Sequence, residues 1–249
     1  MDANDFFYVQ PEDVSAEFLI LRQAESHHLL RVCRKRIGDR FVAADGCGHT
    51  FVCQVEQADG KQVRARILKR RKYLGEPYFH LTTALAVPKK ARFEWFVEKG
   101  TELGVSGFVP LITHRTVVKG DGVKVSRLER IALAALKQCQ RSVLPKISQP
   151  QTWEQLMRDA ARYDVRLLAH EKRADQKLET FLPAGRTGAS PARTGLLCIG
   201  PEGGFTEEEV AHAEERGFGV FGLGPRRLRA ETAALVAATI VLDRMGELS

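Results

Sequence analysis

No stretch of this chain approaches the roughly 20 consecutive apolar residues that cross a bilayer. Its opening residues, MDANDFFYVQPEDVSAEF, are acidic where a secretory signal is basic. A cytoplasmic location is expected. Cysteine is scarce: Cys33, Cys47, Cys53, Cys139 and Cys198 are too few and too scattered for a disulfide framework. The spacing Cys47-x-His49-x3-Cys53 supplies three ligand types but matches no common zinc pattern, and part of it alternates along a strand-like segment. Packing and loop roles suit these residues better, and no metal is expected. The late glycine-rich segment lacks a lysine followed by serine or threonine, which excludes a phosphate-cradling P-loop there.

What is present is a globular composition, with 249 residues of which 44% are apolar and 28% charged. That suffices for one large domain or two modest ones and is too apolar for a disordered chain. The formal charge of +7 is a modest surplus whose distribution matters more than its size. Residues 1–150 carry 25 basic side chains against 16 acidic ones, a net +9; residues 151–249 carry 13 against 15, a net −2. A polyanion would meet the first 150 residues.

Short alternating segments dominate residues 6–72: FFYV, DRFVAAD, HTFVCQVEQ and KQVRARILK. Turn residues separate them at Gly38-Asp39, Asp45-Gly46 and Asp59-Gly60. Between the first strand and the others, SHHLLRVCRKRIGD reads as a short helix that turns Leu29, Leu30 and Cys33 to a core. Its other side presents His27, Arg31, Arg34 and Lys35. A small β-barrel with one inserted helix fits, and such barrels commonly hold nucleic acid. Residues 61–72 contain seven basic side chains, Arg70 and Arg71 among them, and no acidic one. With the Arg31–Arg36 cluster they form a candidate phosphate-contact surface; a solubilising strand edge is the plainer alternative.

A boundary is expected near 73–79, YLGEPYF. Beyond it Leu81–Val87 reads as a strand, and ARFEWFVEKGTEL as a helix with Phe93, Phe96, Val97, Gly100 and Leu103 on one face and Gly104 as its stop. Val105–Leu111 is the next strand, and such alternation indicates an α/β domain with a largely parallel sheet. In SRLERIALAALKQCQR, Ser126 and Glu129 predict a capping box. Leu128, Ile131, Ala132, Ala135 and Cys139 would be its buried stripe, with Arg127, Arg130, Lys137 and Arg141 on the other side. A helix near 151–162, a strand at 165–170 and a connector at 183–194 follow.

Residues 195–209, GLLCIGPEGGFTEEE, read as a buried strand, a tight loop permitted by Gly200, Gly203 and Gly204, and a helix capped by Thr206 and Glu209. A second unit, GFGVFGLGPRRLRAETAALVAATIVLDRM, places a strand at 219–223 and an alanine-rich helix from about Glu231. The pattern GxGxxG at 217–222 enters and occupies a strand, whereas a dinucleotide fingerprint follows one. Two glycine-rich loops after short strands could instead hold a compact cationic nucleoside through backbone groups, with Glu202 nearby.

Several of these segments together resemble the 16S ribosomal RNA uridine-N3 methyltransferases, the small subunit methyltransferase E family. They are HHLLRVCRKRIGD, FEWFVEKGTELGV, KQCQRSVLPKI, IGPEGGFTEEEV and LGPRRLRAETAAL, and the similarity runs nearly end to end. The resemblance implies an N-terminal PUA-like RNA-binding β-barrel, residues 1–74. It also implies an α/β methyltransferase domain of SPOUT type with a deep trefoil knot, residues 75–249, in a homodimer. It implies methyl transfer from S-adenosylmethionine to N3 of uridine 1498 of 16S ribosomal RNA in the assembled 30S subunit. The cofactor pocket would be lined by Leu197, Ile199, Gly200, Glu202 and Gly203 on one side. Leu223, Gly224, Leu228, Arg229, Glu231 and Thr232 would complete it. Arg31, Arg34, Lys35, Arg70 and Arg71 would meet RNA, and Arg229, Arg115 and Glu202 are the candidates nearest the chemistry.

The chain departs from the family's pattern in three places. Asn4 and Asp5 stand where an arginine is common, Thr113-His114-Arg115 keeps only its arginine, and Lys137-Gln138-Cys139-Gln140-Arg141 lacks a glutamate and a glycine. No general base is singled out; His114 and His170 are conceivable. A ribose 2′-O-methyltransferase and a non-catalytic RNA-binding assembly factor are the alternative functions.

Overall fold

Residues 6–88, 91–117, 122–173, 176–182 and 192–248 are described by the computed structural model of the protein. The departure at Asn4 and Asp5 and most of the 183–194 connector lie outside the described residues. The chain divides into two units, 1–76 with 133–144, and 77–132 with 145–249.

In the first unit the strands are β1 (Phe6–Tyr8), β2 (Phe18–Arg22), β3 (Arg40–Ala44), β4 (His49–Ala58) and β5 (Gln62–Lys72). They form one sheet in the order β1-β3-β4-β5-β2, parallel at β1–β3 and antiparallel elsewhere. The outer strands β1 and β2 do not pair with each other, so the expected barrel is an open half-barrel. Strand β2 is absent from the sequence reading because FLILR is nearly all apolar and shows no clean alternation.

Helix α1 (Gln23–His27) runs on into a π-helical turn at His28–Val32. It carries Leu29 into a core with Phe7, Phe41, Phe51 and Val63, while Leu30 and Cys33 pack on its edge. Cys53 lies in this core, where burial pushes its thiol up to about 12. Cys47 is exposed, and His49 Nδ1 stands 2.9 Å from Asp45 Oδ2.

The second unit holds β6 (His80–Ala86), α2 (Arg92–Leu103), β7 (Gly107–Ile112), and the first half of α3 (Val125–Cys139), as far as Ala132. It continues with β8 (Lys146–Ile147), β9 (Gln151–Thr152), α4 (Trp153–Asp159), β10 (Val165–Ala169) and β11 (Thr194–Ile199). Helix α5 (Glu207–Glu215), β12 (Gly219–Phe221) and α6 (Ala230–Arg244) complete it. The sheet runs β12-β10-β11-β6-β7-β8, with β9 also on β7, and every pair is parallel. That is the predicted architecture. Both faces of such a sheet are covered, which is why Leu196, Leu197 and Cys198 read as an unbroken apolar run. Helix α2 buries Phe93, Phe96, Val97 and Gly100 and stops at Gly104, which is left-handed at φ 102°. No helix among the described residues is long and apolar enough to cross a membrane.

Two expectations for α3 fail. Ser126 lies inside the helix, which starts at Val125; the Lys124 carbonyl accepts from the Arg127 and Leu128 amides, so the predicted capping box does not form. The expected basic face is also largely engaged by acids. Arg127 pairs with Glu94 and Lys137 with Glu25. Arg141 is buried against Glu76, 2.8 Å away. Glu76 additionally accepts the Ser142 and Val143 amides, so its buried charge is fully answered.

Candidate functional site

In a parallel α/β sheet, ligands gather beyond the carboxyl ends of the strands, where connecting loops diverge. Strands β10 and β11 end here in a pocket bounded by residues 169–171, the 199–204 loop and the 223–233 segment. The structure brings Ile199, Gly200, Glu202, Leu223, Gly224 and Leu228 together in its wall. Leu197 is fully buried in the sheet, and Gly203, Arg229, Glu231 and Thr232 stand outside the immediate lining. The wall also includes Ala169, His170, Glu171, Pro201, Gly204, Arg226, Arg227, Ala230 and Ala233, of which only His170 is a candidate reactive group from sequence.

Backbone geometry explains the first loop. The Gly204 amide closes a turn onto the Pro201 carbonyl at 2.9 Å, with Gly204 at φ +70°. A side chain there would be strained and would meet the Glu171 carboxylate at 3.0 Å. Gly203 is different: its φ is ordinary, and a Cβ would make van der Waals contact with the Arg115 stem at 3.4 Å. The demanding glycine of the turn is therefore Gly204. Thr206 and Glu209 form the predicted capping box of α5, and Glu209 also accepts the His114 amide at 2.9 Å.

Two guanidiniums grip the same loop by its carbonyls. Arg115 Nη1 donates to Gly203 at 2.7 Å and to Phe205 at 3.2 Å. Arg227 Nη2 donates to the Glu202 carbonyl at 2.8 Å, joining the second glycine-rich segment to the first. The Glu202 carboxylate turns to Arg92 at 3.2 Å, and Arg92 also lies 3.6 Å from Glu231. Arg92 and Arg227 carried no role in the sequence reading, because a lone arginine in a helix or loop gives no signal of the carbonyl or carboxylate it will meet.

His170 is buried at the pocket wall, and its Nδ1 accepts the Lys172 amide at 3.2 Å. The neutral ring then carries its proton on Nε2 and acts as a donor. His114 is exposed and does not line the pocket. Cys198 is wholly buried in β11, and burial pushes its thiol far up, which removes it as a nucleophile.

In the first unit Arg31, Arg34 and Arg71 are exposed and Lys35 is half-buried. Arg34 adopts a left-handed φ of 54°. Arg70 differs: it donates to the Ser15 and Ala16 carbonyls and lies over the Phe51 ring. Arg64 sits 3.9 Å from the centroid of Phe18, and Arg66 pairs with Glu56. Part of the basic strand β5 is thus occupied in holding its own sheet.

A family model described as an RNA methyltransferase domain matches residues 75–242, and one described as an RNA methyltransferase PUA domain matches residues 21–68. The ribosomal RNA small subunit methyltransferase E of Synechocystis sp. is 34% identical over 230 residues, covering 92% of this chain and 74% of that protein. The chain belongs to the ribosomal RNA small subunit methyltransferase E family. A solved member from Neisseria gonorrhoeae, bound to S-adenosyl methionine, superposes with a TM-score of 0.80 at 26% identity, covering 96% of this chain and 97% of that one. A methyltransferase from Legionella pneumophila, also in complex with this cofactor, gives 0.80 at 30% identity with the same coverage. The half-barrel is accordingly the family's PUA domain, and the parallel sheet its RNA methyltransferase domain.

Proposed function

We propose that this protein transfers the methyl group of S-adenosylmethionine to N3 of uridine 1498 of 16S ribosomal RNA, in the assembled 30S subunit and as a homodimer. The observation that carries the reading is the pocket between the two glycine-rich segments, 199–204 and 223–233. Its chemistry fits the cofactor. Ile199, Leu223, Leu228 and Ala233 offer apolar walls for a purine ring, and three lining glycines leave backbone groups accessible. Glu171 adds a negative charge suited to a cationic ligand, while Glu202 is paired with Arg92.

In this reading residues 1–74 form the RNA-binding domain and 75–249 the methyltransferase domain with a deep trefoil knot. The knot is what the family resemblance implies. Arg31, Arg34, Lys35 and Arg71 supply phosphate contacts, and Arg70 adds charge while bracing the sheet.

The cofactor, when bound, supplies an activated methyl group on a sulfonium. The chain's own contribution is to align donor and acceptor and to provide a polar surround for the uracil as N3 loses its proton and gains the methyl carbon. Arg115 and Arg227 shape the pocket through loop carbonyls. Arg229, exposed at the start of α6, remains available to the uracil oxygens. His170, with its proton on Nε2, serves as a hydrogen-bond donor in the wall and not as the base.

The decisive experiment incubates the protein with labelled S-adenosylmethionine and undermethylated 30S subunits, digests the RNA and identifies the nucleoside. Labelled 3-methyluridine at position 1498 is the expected product. A ribose-methylated nucleoside would replace the base-methylation reading with a 2′-O one, and absence of transfer despite cofactor binding would leave an RNA-binding factor.

A further inference from the structure

Glu171 stands at the first position of the single turn, Glu171–Arg173, that follows β10. Its two neighbours are committed elsewhere: Lys172 Nζ contacts Glu207 at 2.5 Å, and Arg173 contacts Glu214 at 3.1 Å. Glu171 makes no ion pair or hydrogen bond among the described residues, yet it lines the pocket. The other acid in the wall, Glu202, has Arg92 as its partner.

The carboxylate also lies close to the loop. Gly204 leaves the space that both carboxylate oxygens approach; a Cβ on Gly204 would stand 3.0 Å from each. Of the lining arginines, Arg227 is turned to the Glu202 carbonyl, and Arg226 is exposed and makes no ion pair with Glu171. A concave wall thus presents one negative group that none of the described residues neutralises. Glu171 is exposed to solvent at the pocket mouth, and such a group raises the local potential for a cation.

We propose that Glu171 is a cofactor-selecting residue, whose carboxylate recognises a cationic group on the methionine portion of S-adenosylmethionine. The proposal rests on the cofactor reading given above. Two groups carry that charge, the sulfonium and the α-ammonium, and the two are separable by ligand. S-adenosylhomocysteine keeps only the ammonium, and 5′-methylthioadenosine has neither.

The test measures the affinity of the full chain, wild type and Glu171→Gln, for these three ligands by calorimetry. Glu171→Gln preserves shape and removes charge, and is expected to weaken S-adenosylmethionine by about fivefold. 5′-Methylthioadenosine, which reports an intact pocket, stays within about twofold. If the sulfonium is the recognised group, S-adenosylhomocysteine affinity is unchanged; if the ammonium is, it falls in parallel with the donor. Unchanged S-adenosylmethionine affinity in the variant overturns the proposal, as does an equal loss for 5′-methylthioadenosine. A wild-type protein that binds none of the three overturns the cofactor reading itself, and this proposal with it.

Discussion

The two glycine-rich segments that bound the pocket look alike in sequence and are built differently. In the first, the Pro201–Gly204 turn, the Arg115 clamp and the Arg227 bond fix the backbone, and Phe205 packs its ring on Trp153 at 5.2 Å. Gly200 lies so near Phe205 that a Cβ would sit 3.0 Å from the ring. In the second, the Gly222 amide reaches the Gln176 carbonyl, after which residues 224–227 are exposed and Gly224, at φ +87°, has nothing within 4 Å of a built Cβ. The first loop is shaped by the protein before any ligand arrives. The second has few contacts of its own.

Gly204→Ala should break this contrast most severely. It combines a left-handed backbone with displacement of Glu171, and S-adenosylmethionine affinity should fall by more than about tenfold. Arg115→Met comes next, since two loop carbonyls lose their donor. Hydrogen exchange should accelerate at 200–205 and not at 222–229, with the cofactor KM rising several-fold and kcat held at saturation. A fall in kcat with unchanged KM would instead place Arg115 on the uracil. Arg227→Met removes a single exposed bond, worth about 1 kcal/mol, and should raise the cofactor KM only about threefold to fivefold. Gly224→Ala meets open space, so only backbone strain of about 1 kcal/mol opposes it, and its effect on affinity should be well below that of Gly204→Ala. Equal losses for the two glycine variants would show that the loops are not built differently.

Much of the fold was legible because periodicity reports burial. The unbroken apolar run at 196–199 and the Phe93–Phe96–Val97–Gly100 face of α2 both appear where their spacing puts them. The Thr206–Glu209 box formed because its residues flank a real helix start, and the Ser126–Glu129 pair failed because α3 begins at Val125, two residues before the start that a Ser126 cap requires. Charge was the poorest guide. Arg141 and Arg70 look like solvent-facing cations in sequence, but one is sealed against Glu76 and the other caps carbonyls of a distant turn. Neither partner is near in the chain, so no local pattern encodes the pairing. The pocket's glycines were visible for the same reason that Glu171 was not. A turn needs particular residue types, whereas an unanswered carboxylate is recognised only once its neighbours' partners are known.

The return of residues 133–144 to the first unit bears on how the chain is made. Leu136 and Leu144 pack with Phe6 and Ala44, and the Glu76 carboxylate depends on Arg141 and on the Ser142 and Val143 amides. A ribosome that has released only residues 1–76 has therefore produced a half-barrel with an exposed apolar patch and a carboxylate lacking its partner. Completion of the N-terminal unit waits for synthesis to pass residue 144, so its assembly is coupled in time to the emergence of the first strands of the methyltransferase sheet. A fragment ended at residue 76 should be less stable than the same unit in the full chain, by an amount that a peptide of residues 133–144 could partly restore.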